Sequence, residues 1–315
     1  MGRVRAGFPT GVPGQTVKRV CGSGMQATIA GAREIQAGGA EVVITGGVES
    51  MTRAPWVMAK PDSGFPRGPQ TVFDTSLGWR LVNPRMGELY GTLQMGETAE
   101  RVAARYEVSR QDQDEFALRS HQRAVAAQEA GRFDAELVPV AVAQRKGDPI
   151  TVATDEGPRA DASLESLGRL KPVFQADGTV TAGNASPLND GASALVLMEA
   201  GAARRRGLRP LATFVAAASA GVDPNYMGIG PVPATRKALA RAGLAAKDVD
   251  LVELNEAFAA QSVACLRELA LDEERVNVNG GAIAIGHPLG PSGTRRLWSI
   301  TNALNRSGAA RGLAY

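Results

Sequence analysis

Two stretches of this chain repeat one layout at one spacing, and that repeat limits the folds open to it. Val42-Val43-Ile44 is a short continuous apolar run ending in Gly46-Gly47. Ahead of it, Met25 to Ala37 has helical spacing, with Ile29 and Ile35 on one side and Arg33 and Glu34 on the other, and Gly38-Gly39 stops the helix. Cys21 lies just before this helix, on a Gly-Ser-Gly turn. Later, Leu251-Val252-Glu253-Leu254 reads as a strand, Asn255 follows, Glu256 to Leu269 reads as a helix, and Val276 and Val278 lead to Gly280-Gly281. Cys21 and Gly46 are 25 residues apart (46 − 21), as are Asn255 and Gly280 (280 − 255). The repeat predicts a duplicated α/β unit. Residues 42–44 would form a buried parallel strand, and Cys21 and Asn255 would face each other at equivalent strand ends, where α/β folds place their sites.

Composition removes several function classes. Of the 315 residues, 44% are hydrophobic and 21% charged, ordinary for a globular protein. The 35 basic side chains barely exceed the 32 acidic ones, and no basic run carries interleaved aromatics, which argues against nucleic acid as a partner. No apolar stretch is long enough to cross a membrane, and residues 1–10 lack the apolar core of a signal peptide. The two cysteines, Cys21 and Cys265, are too few for a disulfide framework, so a reducing, cytoplasmic setting is expected.

Residues 56–184 differ from the flanking sequence. Pro, Gly and Asp are frequent from Pro61 to Asp74. An amphipathic helix follows over 109–131, with Ser109 as N-cap and Asp112 three residues on. This stretch reads as an inserted, more exposed loop domain. One half of the repeat then comprises 1–55 and 185–205, and the other 206–315, with Leu211 to Ser219 opening it as a strand.

Four segments are more specific. They are Val20-Cys21-Gly22-Ser23-Gly24-Met25-Gln26-Ala27, Gly46-Gly47-Val48-Glu49-Ser50-Met51, Asn255-Glu256-Ala257-Phe258, and the Gly280 to Gly290 run that contains His287-Pro288. Together and in this order they resemble the thiolase family, and Met95-Gly96-Glu97-Thr98 and Gly183-Asn184-Ala185-Ser186 add to the likeness. The resemblance implies an α/β fold of two duplicated halves in five layers, α-β-α-β-α, with the inserted loop domain. It implies ping-pong acyl transfer with acyl-CoA and free coenzyme A as substrates, no permanently bound cofactor, no metal, and a homodimer or homotetramer. Relative to the family, residues are expected to be missing before the Cys21 segment. After Ala314 the family has a Cys-x-Gly-x-Gly segment whose cysteine moves the α-carbon proton. Without it, these 315 residues are expected to be nearly inactive.

Residue by residue, the resemblance makes Cys21 the nucleophile that carries the acyl group as a thioester. A cysteine at a helix N-terminus suits that role, because the helix end favours the thiolate. His287 becomes the base that takes the Cys21 proton, and Asn255 the holder of a water that donates to the thioester oxygen. Met95, Phe174, Ala182, Ser186 and Phe258 match positions lining the pantetheine and acyl channel, and Arg159 and Ser166 match positions near the nucleotide end of coenzyme A. Glu256 would help orient the site. His121 is expected on the solvated face of its helix, and Cys265 is expected to be a buried structural residue. Gln94 stands where biosynthetic thiolases often have His, and Pro187 where Gly is common. Together with Asp74 to Arg80, Gln94 points away from strict acetoacetyl-CoA specificity toward a broader or 3-oxoadipyl type. The alternatives are a non-catalytic thiolase-like binder of coenzyme A or lipid, an inactive fragment, and a ketoacyl-synthase relative, which the Asn-Glu-Ala-Phe box disfavours.

Overall fold

The computed structural model describes residues 2–315. In chain order its elements are α1 (Gly2–Arg5), α2 (Ser23–Gln36), β1 (Val42–Glu49), β2 (Trp56–Val57), β3 (Phe73–Asp74), α3 (Pro84–Tyr90), α4 (Met95–Arg105) and α5 (Arg110–Glu129). There follow β4 (Val140–Val142), β5 (Ile150–Val152), α6 (Leu164–Gly168), β6 (Gly191–Met198), α7 (Ala200–Arg205), α8 (Pro231–Ala242), β7 (Leu251–Glu253), α9 (Ala259–Leu269), α10 (Ala282–Ile285), α11 (Leu289–Ser307) and β8 (Gly312–Ala314). The ladders β1–β6, β2–β3 and β4–β5 are antiparallel, and β7–β8 is parallel.

α2 and α11 pack on each other between the ladders β1–β6 and β7–β8, giving a sheet–helix–sheet centre. Small residues allow the close approach. A Cβ on Gly293 would sit 2.3 Å from the Met25 backbone nitrogen, and one on Gly24 would sit 2.8 Å from the Gly290 carbonyl. α2 stops as its glycines require: Gly38 takes φ +78°, and Gly39 N donates to Glu34 O. The main core lies on the other side, where α4, α5 and α9 bring together Val102, Phe116, Ala117, Val263, Ala264 and Leu266.

The structure pairs the halves differently from the 25-residue repeat. Gly46-Gly47 lies inside β1, whereas Gly280-Gly281 forms a turn with Gly280 at φ +78°. The helix facing α2 is α11, each is followed by a strand, and their Ser-Gly pairs, Ser23-Gly24 and Ser292-Gly293, lie against each other. The Cys21 turn therefore packs on α11, the helix that follows the histidine loop, and no strand leads into it. The expected buried parallel strand at 42–44 is an antiparallel one whose sides alternate. Val43 and Thr45 face Gly31, while Ile44 is 50% exposed.

Three further expectations change. The helix after Asn255 begins at Ala259, because 257–259 first bond to 184–186: Ser186 N donates to Ala257 O, and Ala259 N donates to Asn184 O. Residues 211–219 form no strand, since side chains take their acceptors. Arg241 donates to Ala217 O, and Asn305 donates to Leu211 O. α5 does carry the Ser109–Asp112 capping box, but its inner side belongs to the main core, so His121 is buried. The segment around Arg159 lies against it, with the Arg159 N–H donating to His121 Nδ1, so the ring does not meet the solvent it was expected to meet.

Candidate active site

Cys21 lies in a 3₁₀ turn, Val20–Gly22, immediately before α2. Ser23 closes the turn, accepting from Arg19 N and donating to Val20 O. Gly47 lets the opposite wall approach, since a Cβ there would meet the Gly290 carbonyl at 2.2 Å, and Glu49 accepts from Gly290 N at 3.2 Å. Cys21 is half-buried. Burial pushes its thiol above the ordinary value of 9.0, Arg296 pulls it back down, and Glu49 adds to the rise.

The second wall is His287, buried in the loop ahead of α11, the helix that packs on the Cys21 turn. Its backbone N–H donates to Asn189 Oδ1 at 3.0 Å, Nδ1 is 2.7 Å from Ser292 Oγ, and Nε2 is 3.4 Å from Asn255 Nδ2. Arg296 Nη1 donates to Asn255 Oδ1 at 2.6 Å. With that oxygen occupied by a donor, the Asn255 –NH2 faces His287. Nε2 must then accept, and Nδ1 carries the proton to Ser292. Burial, reinforced by Arg296 and Arg295, holds the imidazole down to about 3, so the ring is neutral and its Nε2 lone pair available. Asn255 itself sits at the end of β7, where its N–H donates to Tyr315 O.

Behind this wall Glu256 fixes the loop. Its carboxylate accepts from Ser120 Oγ at 2.7 Å, Asn277 Nδ2 at 2.7 Å and Ile283 N at 3.0 Å. Burial raises its pKa against those bonds. Gly281 can have no side chain, because a Cβ would lie 2.2 Å from that carboxyl.

The channel candidates divide. Phe174 and Phe258 meet edge to face, ring centroids 6.2 Å apart, and Gly96 lies directly under Phe174 beside Met95, which is 45% exposed. Ser186 joins them through its backbone bond to Ala257. Ala182 is exposed, next to Gly183, which rests on Leu167 and Leu170. Ser166 is exposed too, but its hydroxyl is spent in the α6 cap with Ser163. Arg159 is exposed at its side chain, while its backbone N–H donates to His121 Nδ1 at 3.2 Å. Gln94 bonds through its N–H to Glu97 at the start of α4. Cys265 is fully buried, its thiol donating to Gly228 O at 3.5 Å and pushed up to about 12.

Sequence reasoning passed over Asn189, Ser292 and Arg296. Ser292 could have been found from its place five residues after His287 in a Gly-rich turn. Asn189 offered no signal.

No helix among the described residues is long and apolar enough to cross a membrane. Residues 2–201 match the family model "Thiolase, N-terminal domain", and residues 208–315 match "Thiolase, C-terminal domain". The chain is 57% identical to a beta-ketoadipyl-CoA thiolase of Pseudomonas aeruginosa over 316 aligned positions, covering 100% of this chain and 78% of that protein. Its fold superposes on the crystal structure of Bacillus anthracis acetyl-CoA acetyltransferase with a TM-score of 0.92 at 45% identity, covering 99% of this chain and 77% of the other. The human mitochondrial 3-ketoacyl-CoA thiolase in complex with CoA gives a TM-score of 0.88 at 44% identity, with 97% and 75% covered. With its α/β fold and both matching domains, the chain belongs to the thiolase family of acyltransferases.

Proposed function

We propose that the chain transfers acyl groups between 3-oxoacyl-CoA and coenzyme A through a thioester on Cys21. A hydrogen-bonded set carries this reading: neutral His287 with Nε2 as acceptor, the Asn255 amide beside it and Ser292 behind, with Arg296, bonded to Asn255, also acting on the Cys21 thiol. Cys21 Sγ gives its proton to His287 Nε2 and attacks the keto carbon. The Asn255 amide, through a water, stabilises the negative charge on the thioester oxygen. The Cα–Cβ bond breaks, its electron pair leaves as the acetyl-CoA enolate, and the proton on His287 Nε2 converts that enolate to acetyl-CoA. Free coenzyme A then gives its thiol proton to Nε2 and takes the acyl group, and that proton returns to the released Cys21 sulfur. The reverse direction condenses two acyl-CoA molecules.

Met95, Phe174, Phe258 and Ser186 form the side of the pantetheine and acyl channel, with Ala182, Ser166 and Arg159 further out along it. Residues 56–184 are the inserted loop domain between the halves 1–55 with 185–205 and 206–315. A cytoplasmic homodimer or homotetramer fits this reading. The acyl group we favour is of 3-oxoadipyl type, supported by the name of the Pseudomonas aeruginosa relative and by Gln94 at the channel mouth. A binder without chemistry is disfavoured, because it has no need of a neutral buried His beside a cysteine at a helix N-terminus. Thiolysis of acetoacetyl-CoA, a longer 3-oxoacyl-CoA and 3-oxoadipyl-CoA, measured side by side, tests this: 3-oxoadipyl-CoA should give the highest kcat/KM, and a clear preference for acetoacetyl-CoA would contradict the assignment.

A further inference from the structure

Arg296 is tied to all three proposed reacting groups. It lies about two turns into α11 (296 − 289 = 7 residues), 3% exposed. Its Nη1 donates to Asn255 Oδ1 at 2.6 Å, and its charge acts on both Cys21 and His287. That hydrogen bond goes to a neutral amide, and its Nε has no partner among the described residues. Burying a guanidinium without a paired carboxylate is costly, and such costs concentrate where chemistry needs them. The nearest counter-charge does not remove the cost: Glu253 on β7 is buried, and burial lifts its carboxyl to about 8, so it is largely protonated at neutral pH. Arg296 itself is held down to about 9 and stays charged there.

We propose that Arg296 is the positioning residue of this site: it clamps the Asn255 carbonyl so that the amide nitrogen is presented to His287, and it sets a desolvated positive charge beside Cys21. The clamp matters because an asparagine amide can turn over by 180°. Reversed, its oxygen would face the Nε2 lone pair, and no donor would remain for an oxyanion. Arg296 makes the reversed state unfavourable, since the –NH2 would then meet the guanidinium. The charge matters because the Cys21 sulfur becomes anionic when it attacks and again when the acyl group leaves. The charged and titratable groups around the pair are Glu49 at the end of β1, His287, Arg295 on α11, and Glu253 on β7 with Glu136 and Glu256 near it.

This inference rests on Cys21 as the acyl carrier, and the test separates the two. Iodoacetamide alkylation of Cys21 is followed against pH in the full chain, in Arg296→Met and in Arg296→Lys, with Cys265 as the buried internal control. It needs no acyl-CoA. Arg296→Met should raise the alkylation midpoint by about one pH unit or more, and Arg296→Lys should stay close to the parent. In thiolysis, both substitutions should lower kcat roughly tenfold or more with KM nearly unchanged, because Lys keeps the charge but not the planar grip. On an Asn255→Ala background, Arg296→Lys should cost nothing further. An unchanged midpoint in Arg296→Met with kcat retained overturns the proposal. If Arg296→Met does not fold, Arg296→Lys decides: full kcat there, or an additive loss on the Asn255→Ala background, overturns the clamp. A chain that takes no acyl group on Cys21 removes the thiolase reading, while the alkylation arm still reports on Arg296.

Discussion

The two walls of the site are built to different standards. On the Cys21 wall, one sulfur stands on a short 3₁₀ turn, half-buried, backed by a two-stranded ladder whose outer side leaves Ile44, Val48 and Val196 exposed. Glycine backbone contacts hold that wall in place. On the His287 wall, ring and backbone are bonded to Ser292, Asn255 and Asn189, Arg296 holds Asn255, and Glu256 pins the loop from behind. The group that forms and breaks a covalent bond stays partly exposed on a short turn. The groups that must meet it with a lone pair and a donor are fixed in advance, as electrostatic preorganisation requires.

The largest expected effect tests whether Cys21 alone carries the chemistry. Cys21→Ala should abolish whatever thiolysis the chain supports, whereas Cys265→Ala should leave kcat within about twofold and cost stability alone. Next comes the fixed wall. His287→Ala should lose about 10²–10⁴-fold in kcat and Asn255→Ala about 10²–10³-fold, read by steady-state kinetics. The pH profile sharpens the contrast. His287 titrates near 3, so no inflection should come near 6.5, and kcat/KM should climb toward and past pH 9 as the Cys21 thiol ionises.

Smaller effects concern how the walls meet. Gly293→Ala puts a Cβ 2.3 Å from the Met25 backbone nitrogen, forcing α2 and α11 apart, and should cost about 1–3 kcal/mol in urea unfolding. Gly308→Ala, at φ +72° but with open space around it, should cost less. A pH-dependent effect is expected at Glu253. Its folded pKa, about 8, lies above the ordinary 4.5, so its contribution is fully present below 4.5 and is lost as pH rises through 8. Glu253→Gln mimics the protonated form. Its melting temperature relative to the parent should therefore rise between pH 5 and pH 9, and a constant difference would mean that Glu253 is ionised throughout.

Local signals were legible in the sequence where a residue type has one geometric use. The Gly38-Gly39 stop, the Ser109–Asp112 cap and the β7–Asn255 junction stand where their residues place them. The family motifs pointed to Cys21, His287 and Asn255, and the structure brings His287 and Asn255 into contact. What failed were inferences that needed a partner. Periodicity cannot tell which strand lies beside Val42–Glu49, and the 25-residue spacing matched two glycine pairs with unrelated jobs: Gly47 admits the Gly290 carbonyl, and Gly281 admits the Glu256 carboxyl. His121 looked solvated because the Arg159 segment that lies against it comes 38 residues later (159 − 121 = 38). Arg296 was invisible for the same reason, since its value lies in an amide contributed by another strand.

Intact-mass spectrometry after incubation with acetyl-CoA or acetoacetyl-CoA, in the parent chain and in Cys21→Ala, tests the acyl-carrier role most directly. The expected result is a gain of one acetyl group in the parent, mapped to Cys21, discharged by free coenzyme A and absent from the variant. A folded parent chain that gains no acyl group, or one whose adduct survives Cys21→Ala, would contradict Cys21 as the carrier.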